Sequence, residues 1–337
     1  MSHNLTVHAD DKGRRLDRYL QVKFPSAGFA MVQKLVRKGA VRVDGKRAKA
    51  DMRLEAGNTI SLPMSLAQLI VDQDSAEDVV LSPMAHRWLE RLQARVIAND
   101  ADIIVFNKPA GLAVQGGSKT SVHVDALLGQ FADSQGRPPK LVHRLDRDTS
   151  GVLLTARGGL VGQLSAQFAR RDTVKTYLAW CWGQPEQHSG TVDAPLLKRS
   201  GQGSNGDQDR VVVDAQAGLS AQSNYRVLTS ARLSSGLGPR ISLIQWRPLT
   251  GRTHQLRVHA AYLGNSIIGD PKYGHAPLLN PQDSSQNALA KIRLQLHASD
   301  LTIAVDGQHK TFRATAPRGM RDLAKLIDVD PEEFFGQ

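Results

Sequence analysis

Leu141-Val142-His143-Arg144-Leu145-Asp146-Arg147-Asp148-Thr149-Ser150-Gly151 runs straight into Val152-Leu153-Leu154-Thr155. Two arginines, a histidine, two aspartates and two hydroxyl side chains crowd a stretch that precedes a short apolar run. The run reads as a buried strand, and a polar loop at the mouth of a rigid strand is where a scaffold presents reactive groups. A salt-bridged turn would use some of the same residues, because Asp148-Thr149-Ser150-Gly151 is good turn chemistry. A second dense segment far downstream tips the balance: Leu249-Thr250-Gly251-Arg252-Thr253-His254-Gln255-Leu256-Arg257-Val258-His259. The spacing predicts a helix over Thr253–Leu263, with Leu256, Ala260 and Leu263 toward the core. Arg252 and Gln255 then stand three apart, while Thr253, Arg257 and His254 line neighbouring faces. An arginine from here could pair with a carboxylate of the first loop and hold it ionised, since a nearby cation depresses an acid's pKa. In Lys175-Thr176-Tyr177-Leu178-Ala179-Trp180, alternation puts Lys175, Tyr177 and Ala179 on one face. Taken alone, Tyr177 is an ordinary strand aromatic.

Around these segments the second part of the chain mixes elements without a βαβ rhythm. Asp102–Phe106, Val152–Thr155, Val174–Trp182, Ile241–Trp246, Leu301–Val305 and Phe312–Thr315 read as strands. Leu160, Leu164 and Phe168 mark a helix. The pattern predicts an α+β fold with a mixed or antiparallel sheet. Arg199–Asp209 is a polar insertion.

The first part differs in charge. The 337 residues carry 43 Lys and Arg against 32 Asp and Glu, a formal net charge of +11. From Asp10 to Arg53, 13 basic residues face 5 acidic ones, so +8 of that charge sits in a small N-terminal unit. Such a concentration fits a polyanion partner better than a merely basic surface. Leu16, Tyr19 and Leu20 predict one helix, broken at Phe24-Pro25-Ser26. Met31, Val32, Leu35 and Val36 predict a second with a basic opposite face, capped by Gly39. Val41–Lys46 reads as a hairpin and Thr59–Leu62 as a strand. Between Met64 and Met84 all charged residues are acidic (Asp72, Asp74, Glu77, Asp78), as in a linker. Trp88–Leu92 is a short amphipathic piece. The expected division is therefore 13–63 as a module suited to a nucleic-acid backbone, 64–95 as linker and 97–325 as the larger domain.

Several chemistries are disfavoured. No apolar run is long enough to cross a membrane, and the N-terminus lacks a signal-peptide core, so a cytoplasmic protein is expected. The single cysteine, Cys181, permits no disulfide framework and reads as packing. Gly201-Gln202-Gly203-Ser204-Asn205-Gly206 fits G-x-G-x-x-G but has no apolar strand leading into it. His254 and His259 are five apart, the wrong spacing for stacked metal ligands on a helix. No G-x-S-x-G turn is present.

HRLDRDTSG, the K-x-Y segment, GRTHQLRVH and the turn Gly269-Asp270-Pro271-Lys272-Tyr273-Gly274 together closely resemble the RluA-type family of pseudouridine synthases. Asn107–Gly117 and Leu296-His297-Ala298 are also similar to that family. The basic N-terminal unit resembles an S4 RNA-binding domain. The resemblance spans roughly residues 13–63 and 97–316 and is strongest to members acting on large-subunit ribosomal RNA. It implies isomerisation of uridine to pseudouridine: the base leaves C1′ of the ribose, turns and rejoins through C5. That needs no cofactor and no metal. By resemblance Asp146 is the catalytic aspartate, attacking C1′ or removing the C2′ proton. Arg257 is its implied ion-pair partner, with Arg252 the alternative. Tyr177 would stack on the uracil and assist at C5, and Arg144 would fill the place of the flipped uridine. His143, Lys175 and Arg252 would contact substrate RNA. Arg14, Arg18, Arg37, Lys38, Arg42 and Lys46 would grip phosphates. The implied partner is 23S ribosomal RNA, met by a monomer, with transfer RNA as the alternative substrate. A non-catalytic ribosome-assembly factor is the rival from another class, and a metal-dependent nuclease lacks the acidic cluster it needs.

Overall fold

Leu5 and Val7 pack against a short strand and two helices to make the N-terminal core, in a computed structural model. That structure describes residues 3–8, 11–24, 27, 29–66, 81–116, 120, 122–199, 210–233, 238–280, 282–283, 286, 289 and 292–335. Strand β1 is His3–Thr6, and helices α1 (Leu16–Lys23) and α2 (Phe29–Arg37) follow. Leu16, Tyr19 and Leu20 from α1 meet Val32 and Val36 from α2, as their spacing requires. Asp17 is buried between the helices, where Arg15 and Gln33 (3.0 Å) donate to its carboxylate. Gly39 at φ +73° follows α2. Asp44 (φ 48°) and Gly45 (φ 74°) make the tight turn between β2 (Arg42–Val43) and β3 (Lys46–Arg47). With β4 (Thr59–Leu62) the sheet order is β1-β4-β2-β3. The N-terminal unit therefore begins ahead of residue 13. The four-residue HNLT strand is too short and polar to show a period, but it pairs with β4 in register Leu5↔Ile60.

The chain forms two compact units, Met1–Pro83 with Gly116–Ser121, and Met84–Gln115 with Val122–Gln337. Residues 67–80, the centre of the expected linker, lie outside the described residues. The far end of 64–95 is not linker. Pro83–Gln93 is helix α3, and Ala85, Leu89 and Leu92, at helical spacing, are buried.

The second unit is built on one mixed sheet. Its strands are β5 (Val96–Asn99), β6 (Ile103–Lys108), β7 (Lys140–Leu141), β8 (Ser150–Ala156), β9 (Val174–Trp182) and β10 (Ser189–Asp193). Further along come β13 (Gln222–Arg232), β14 (Arg240–Pro248), β15 (Leu296–Val305) and β16 (Gln308–Arg313), while β11 (Leu196–Arg199) and β12 (Arg210–Val213) pair separately. The order is β10-β13-β14-β9-β15-β8-β6-β5, with β16 beside β15 and β7 beside β8. Only β15 and β8 run parallel among the described pairs of this sheet. Helices are α4 (Val124–Leu127), α5 (Leu160–Arg170), α6 (Gln255–Tyr262), α7 (Arg318–Lys325) and α8 (Pro331–Phe335). The unit continues past 325: Ile327 and Phe335 share a core with Trp180, Leu243 and Met320. The polar insertion, with its G-x-G-x-x-G pattern, lies outside the described residues from 200 to 209. It is followed by strand β12, not by the helix a dinucleotide site needs. Among the described residues no helix is long and apolar enough to cross a membrane.

Candidate active site

The loop 143–149 is fixed at both ends by the sheet. Ser150 and Gly151 open β8, whose seven residues are all buried, and pair in parallel with His297 and Ala298 of β15. Gly151 has φ +115°, and a Cβ there would lie 2.1 Å from the Ala298 carbonyl oxygen, so no other residue fits. Ser150 Oγ donates to His297 Nδ1 (2.9 Å), and His297 Nε2 donates to the Ala314 carbonyl (2.9 Å). Burial pulls His297 down to about 4, against the opposing pull of the Ala314 carbonyl and Asp300. At the other end, His143 Nε2 accepts from the Leu154 N–H (2.9 Å), and its ring stacks on Phe168 at 4.4 Å and 17°. Burial, with the charge of Lys175, lowers His143 to about 3. His143 lines the cavity, but its Nε2 is committed to holding the loop rather than to RNA.

Beneath the loop lies a fully buried lysine. Lys108 Nζ donates to the carbonyls of Pro109 (3.0 Å), Leu112 (2.8 Å) and Arg147 (3.0 Å). Burial lowers it to about 7, while the charges of Asp148 and Asp146 oppose that fall. Arg147 follows Asp146, so this lysine anchors the backbone that carries the aspartate.

The loop faces a cavity of about 430 Å³. Arg144 and Asp146 from the loop, Lys175 and Tyr177 from β9, and Arg252 and Arg257 from the downstream segment all line it, together with His254. Sequence segments separated by about a hundred residues therefore converge on one hollow. Burial and the charge of Asp146 push the Tyr177 phenol up, so it stays neutral. Burial, then Arg171, lowers Lys175.

The implied ion pair between Arg257 and Asp146 is not formed. Arg257 donates through Nε to Asp270 Oδ2 (2.7 Å) and through Nη2 to Asp270 Oδ1 (2.6 Å), with both side chains buried. Asp270 belongs to the turn Gly269–Gly274, where its Oδ1 also accepts from the N–H groups of Lys272 and Tyr273. That turn brings a carboxylate to the inner face of α6, closer to Arg257 than Asp146 is. Burial alone would raise Asp270, but the Arg257 hydrogen bonds and charge outweigh it and hold its carboxyl low. Arg257 is raised in spite of burial by Asp270 and, more weakly, by Asp146. The alternative, Arg252, donates to the Ser220 carbonyl (3.1 Å) instead. Among the described residues no side chain or backbone N–H hydrogen-bonds the Asp146 carboxylate.

The helix at this segment starts at Gln255 rather than Thr253. His254 takes a left-handed φ of 54°, and Gln255 Oε1 folds back to accept from Thr250 Oγ1 (2.7 Å) and Arg252 N (3.0 Å). His254 Nδ1 meets the Tyr273 hydroxyl at 2.8 Å, and the Tyr273 ring lies 5.1 Å from the Arg257 guanidinium. His259 is a core residue, bonded to Ser223 Oγ and the Ala194 carbonyl. Among the described residues no group of three His, Cys, Asp or Glu is placed to hold a metal ion. Asp270, Tyr273, Lys108 and the Ser150–His297 pair were not singled out by sequence, although all of them stand inside motifs that carried the resemblance.

In the N-terminal unit Arg18, Arg37, Lys38, Arg42 and Lys46 are exposed. Arg14 is tied to Asp11 at 2.6 Å, so its charge is already matched.

Residues 102–262 match the RNA pseudouridylate synthase family, and residues 14–60 match the S4 domain. The chain belongs to the RNA pseudouridylate synthases, with an S4 domain ahead of the synthase domain, and is an RNA pseudouridine synthase, an isomerase. It is 34% identical over 314 residues to ribosomal large subunit pseudouridine synthase C of Salmonella typhimurium, covering 93% of this chain and 92% of that protein. The enzyme of the same name from Escherichia coli gives the same identity and coverage. Among solved structures, human RNA pseudouridylate synthase domain containing 4 superposes with a TM-score of 0.57 at 28% identity, covering 72% of this chain and 97% of that one.

Proposed function

We propose that this chain converts specific uridines of 23S ribosomal RNA to pseudouridine, with Asp146 as the catalytic carboxylate. The observation that carries the role of Asp146 is its place in the cavity: a carboxylate with no hydrogen-bonded partner among the described residues, beside a neutral tyrosine and several cations. The substrate rests on the relatives, which are named for the large ribosomal subunit. In the reaction the N1–C1′ bond breaks, C5–C1′ forms, the C5 proton leaves and N1 gains one. Asp146 serves either by attacking C1′ or by taking the C2′ proton to give a glycal. Arg257, fixed by Asp270, contributes positive charge to the same cavity without hydrogen-bonding Asp146. Tyr177 offers a flat face for the base and an O–H rather than a phenolate. Arg144, exposed on the loop, takes the space of the flipped nucleotide, and flipping costs least in irregular RNA.

Tritium release from [5-³H]uridine-labelled 23S RNA tests this reading. Asp146→Asn is expected to lower the rate by about 10²–10⁴-fold or more with RNA binding retained. Equal activity in Asp146→Asn would move catalysis elsewhere. A ribosomal pseudouridine map unchanged by deleting the gene would send the search to transfer RNA, or restore the assembly-factor reading.

A further inference from the structure

Gly111, in the loop after β6, is where side chains from separate parts of the second unit meet. Its N–H donates to the Arg147 carbonyl (2.9 Å), and its own carbonyl accepts from Arg147 Nε (3.2 Å). A Cβ built on Gly111 would lie 3.4 Å from Arg293 Nη1 and 3.6 Å from Trp88 Cη2. Trp88 stands on α3 and carries the Arg91 guanidinium 5.2 Å from its ring centre. Arg91, Arg147 and Arg293 are exposed and Trp88 is half-buried. Among the described residues none of the three arginines is ion-paired with a carboxylate. None of the four side chains is used by the cavity.

Like charges drawn to one point repel unless an anion joins them. Guanidinium forks suit phosphate oxygens, and a partly exposed indole suits a nucleobase, which every sequence offers. We infer that Trp88, Arg91, Arg147 and Arg293 form a second RNA subsite, which binds single-stranded RNA flanking the target nucleotide through its phosphates and one stacked base. The inference rests on the proposed RNA reading. Arg147 follows Asp146 in the chain, so a strand held here continues from the nucleotide in the cavity. That continuity, and the tryptophan, favour RNA over an acidic protein. Gly111 has φ +93°, a backbone conformation that residues with side chains rarely adopt, and so keeps the loop's turn at this point.

The test uses the full chain, 23S RNA transcript and two variants, Trp88→Ala and the double variant Arg91→Gln/Arg293→Gln, with Trp88→Phe as the conservative control. Trp88→Ala is expected to raise KM about tenfold, with kcat falling far less, and Trp88→Phe to recover most of it. The double variant is expected to lower the slope of log affinity against log salt by about 1.4, two phosphate contacts on a single strand. Thermal melting of the double variant should match the wild type, which separates lost contacts from lost fold. Wild-type KM and salt slope in both variants would overturn the subsite and leave the patch to an acidic protein. If the wild type released no tritium from this RNA, the substrate reading would fail, while the salt slopes would still decide the subsite.

Discussion

Arg257 shows how one side chain can be read correctly in kind and wrongly in partner. The helical spacing of the downstream segment put Arg257 on a face beside the core-facing Leu256 and Ala260, and the resemblance implied a carboxylate partner for it. Two aspartates competed for it, and the one delivered by the Gly269–Gly274 turn makes both hydrogen bonds. A buried pair of this kind is costly to break from one side, because the remaining charge has no water. Asp270→Ala is therefore expected to destabilise the protein by about 3–5 kcal/mol in denaturant titration. The double change Arg257→Met/Asp270→Leu should recover much of that loss. A single variant as stable as the wild type would show that the pair is solvated in solution. Asp146 is the reverse case: its segment was recognised from composition and motif, and among the described residues nothing hydrogen-bonds its carboxylate.

The parallel junction of β8 and β15 is the element that presents the loop, and its histidines set a pH dependence. His143 at about 3 and His297 at about 4 stay neutral in the fold, whereas the unfolded chain titrates near 6.5. Burial lowers His123, His254 and His259 in the same direction. Below about pH 6.5 the unfolded state therefore binds more protons, so stability rises with pH across that window and falls as pH drops toward 4. Each such histidine adds up to about 1.4 kcal/mol per pH unit. Denaturant titrations at several pH values should show this slope, and His297→Gln should remove one histidine's share. Equal stability at both ends of the window would mean these rings are protonated in the fold. Asp270, with a lowered carboxyl, acts in a separate and more acid range, its contribution present above about 3.8 and lost below.

At the scale of the whole molecule, each unit has a core of its own: among the described residues the N-terminal cluster is built from residues 7–66 with Leu5 packed against it, and the clusters around Trp180, Trp246 and Leu154 are built from the second unit. The basic N-terminal unit supplies charge, and the second unit supplies the cavity. A chain beginning at residue 84 is expected to fold and to form pseudouridine with a raised KM. Loss of the five exposed cations Arg18, Arg37, Lys38, Arg42 and Lys46 should lower the salt slope of RNA binding by about 4.5 if each meets a duplex phosphate. An unchanged slope would place the S4 domain off the RNA.

The division of labour between sequence and tertiary structure follows the range of the forces involved. Local periodicity decided most elements: Leu16, Tyr19 and Leu20 for α1, Leu160, Leu164 and Phe168 for α5, the apolar run of β8 and the Asp44-Gly45 turn. It failed where segments were short and polar, as at β1, or where the left-handed His254 delayed a helix by two residues. Motifs decided the family and named Asp146, Tyr177, Arg252 and Arg257 as one set, and the cavity gathers all four. Only the tertiary structure decided who touches whom. The Arg147 carbonyl on Lys108, the Ser150–His297 clasp, the pairing of Arg257 with Asp270 and the arginines around Gly111 all join residues from different segments of the chain. Hydrogen bonds and ion pairs act over about 3 Å, so sequence order cannot rank competing partners that the fold brings within reach.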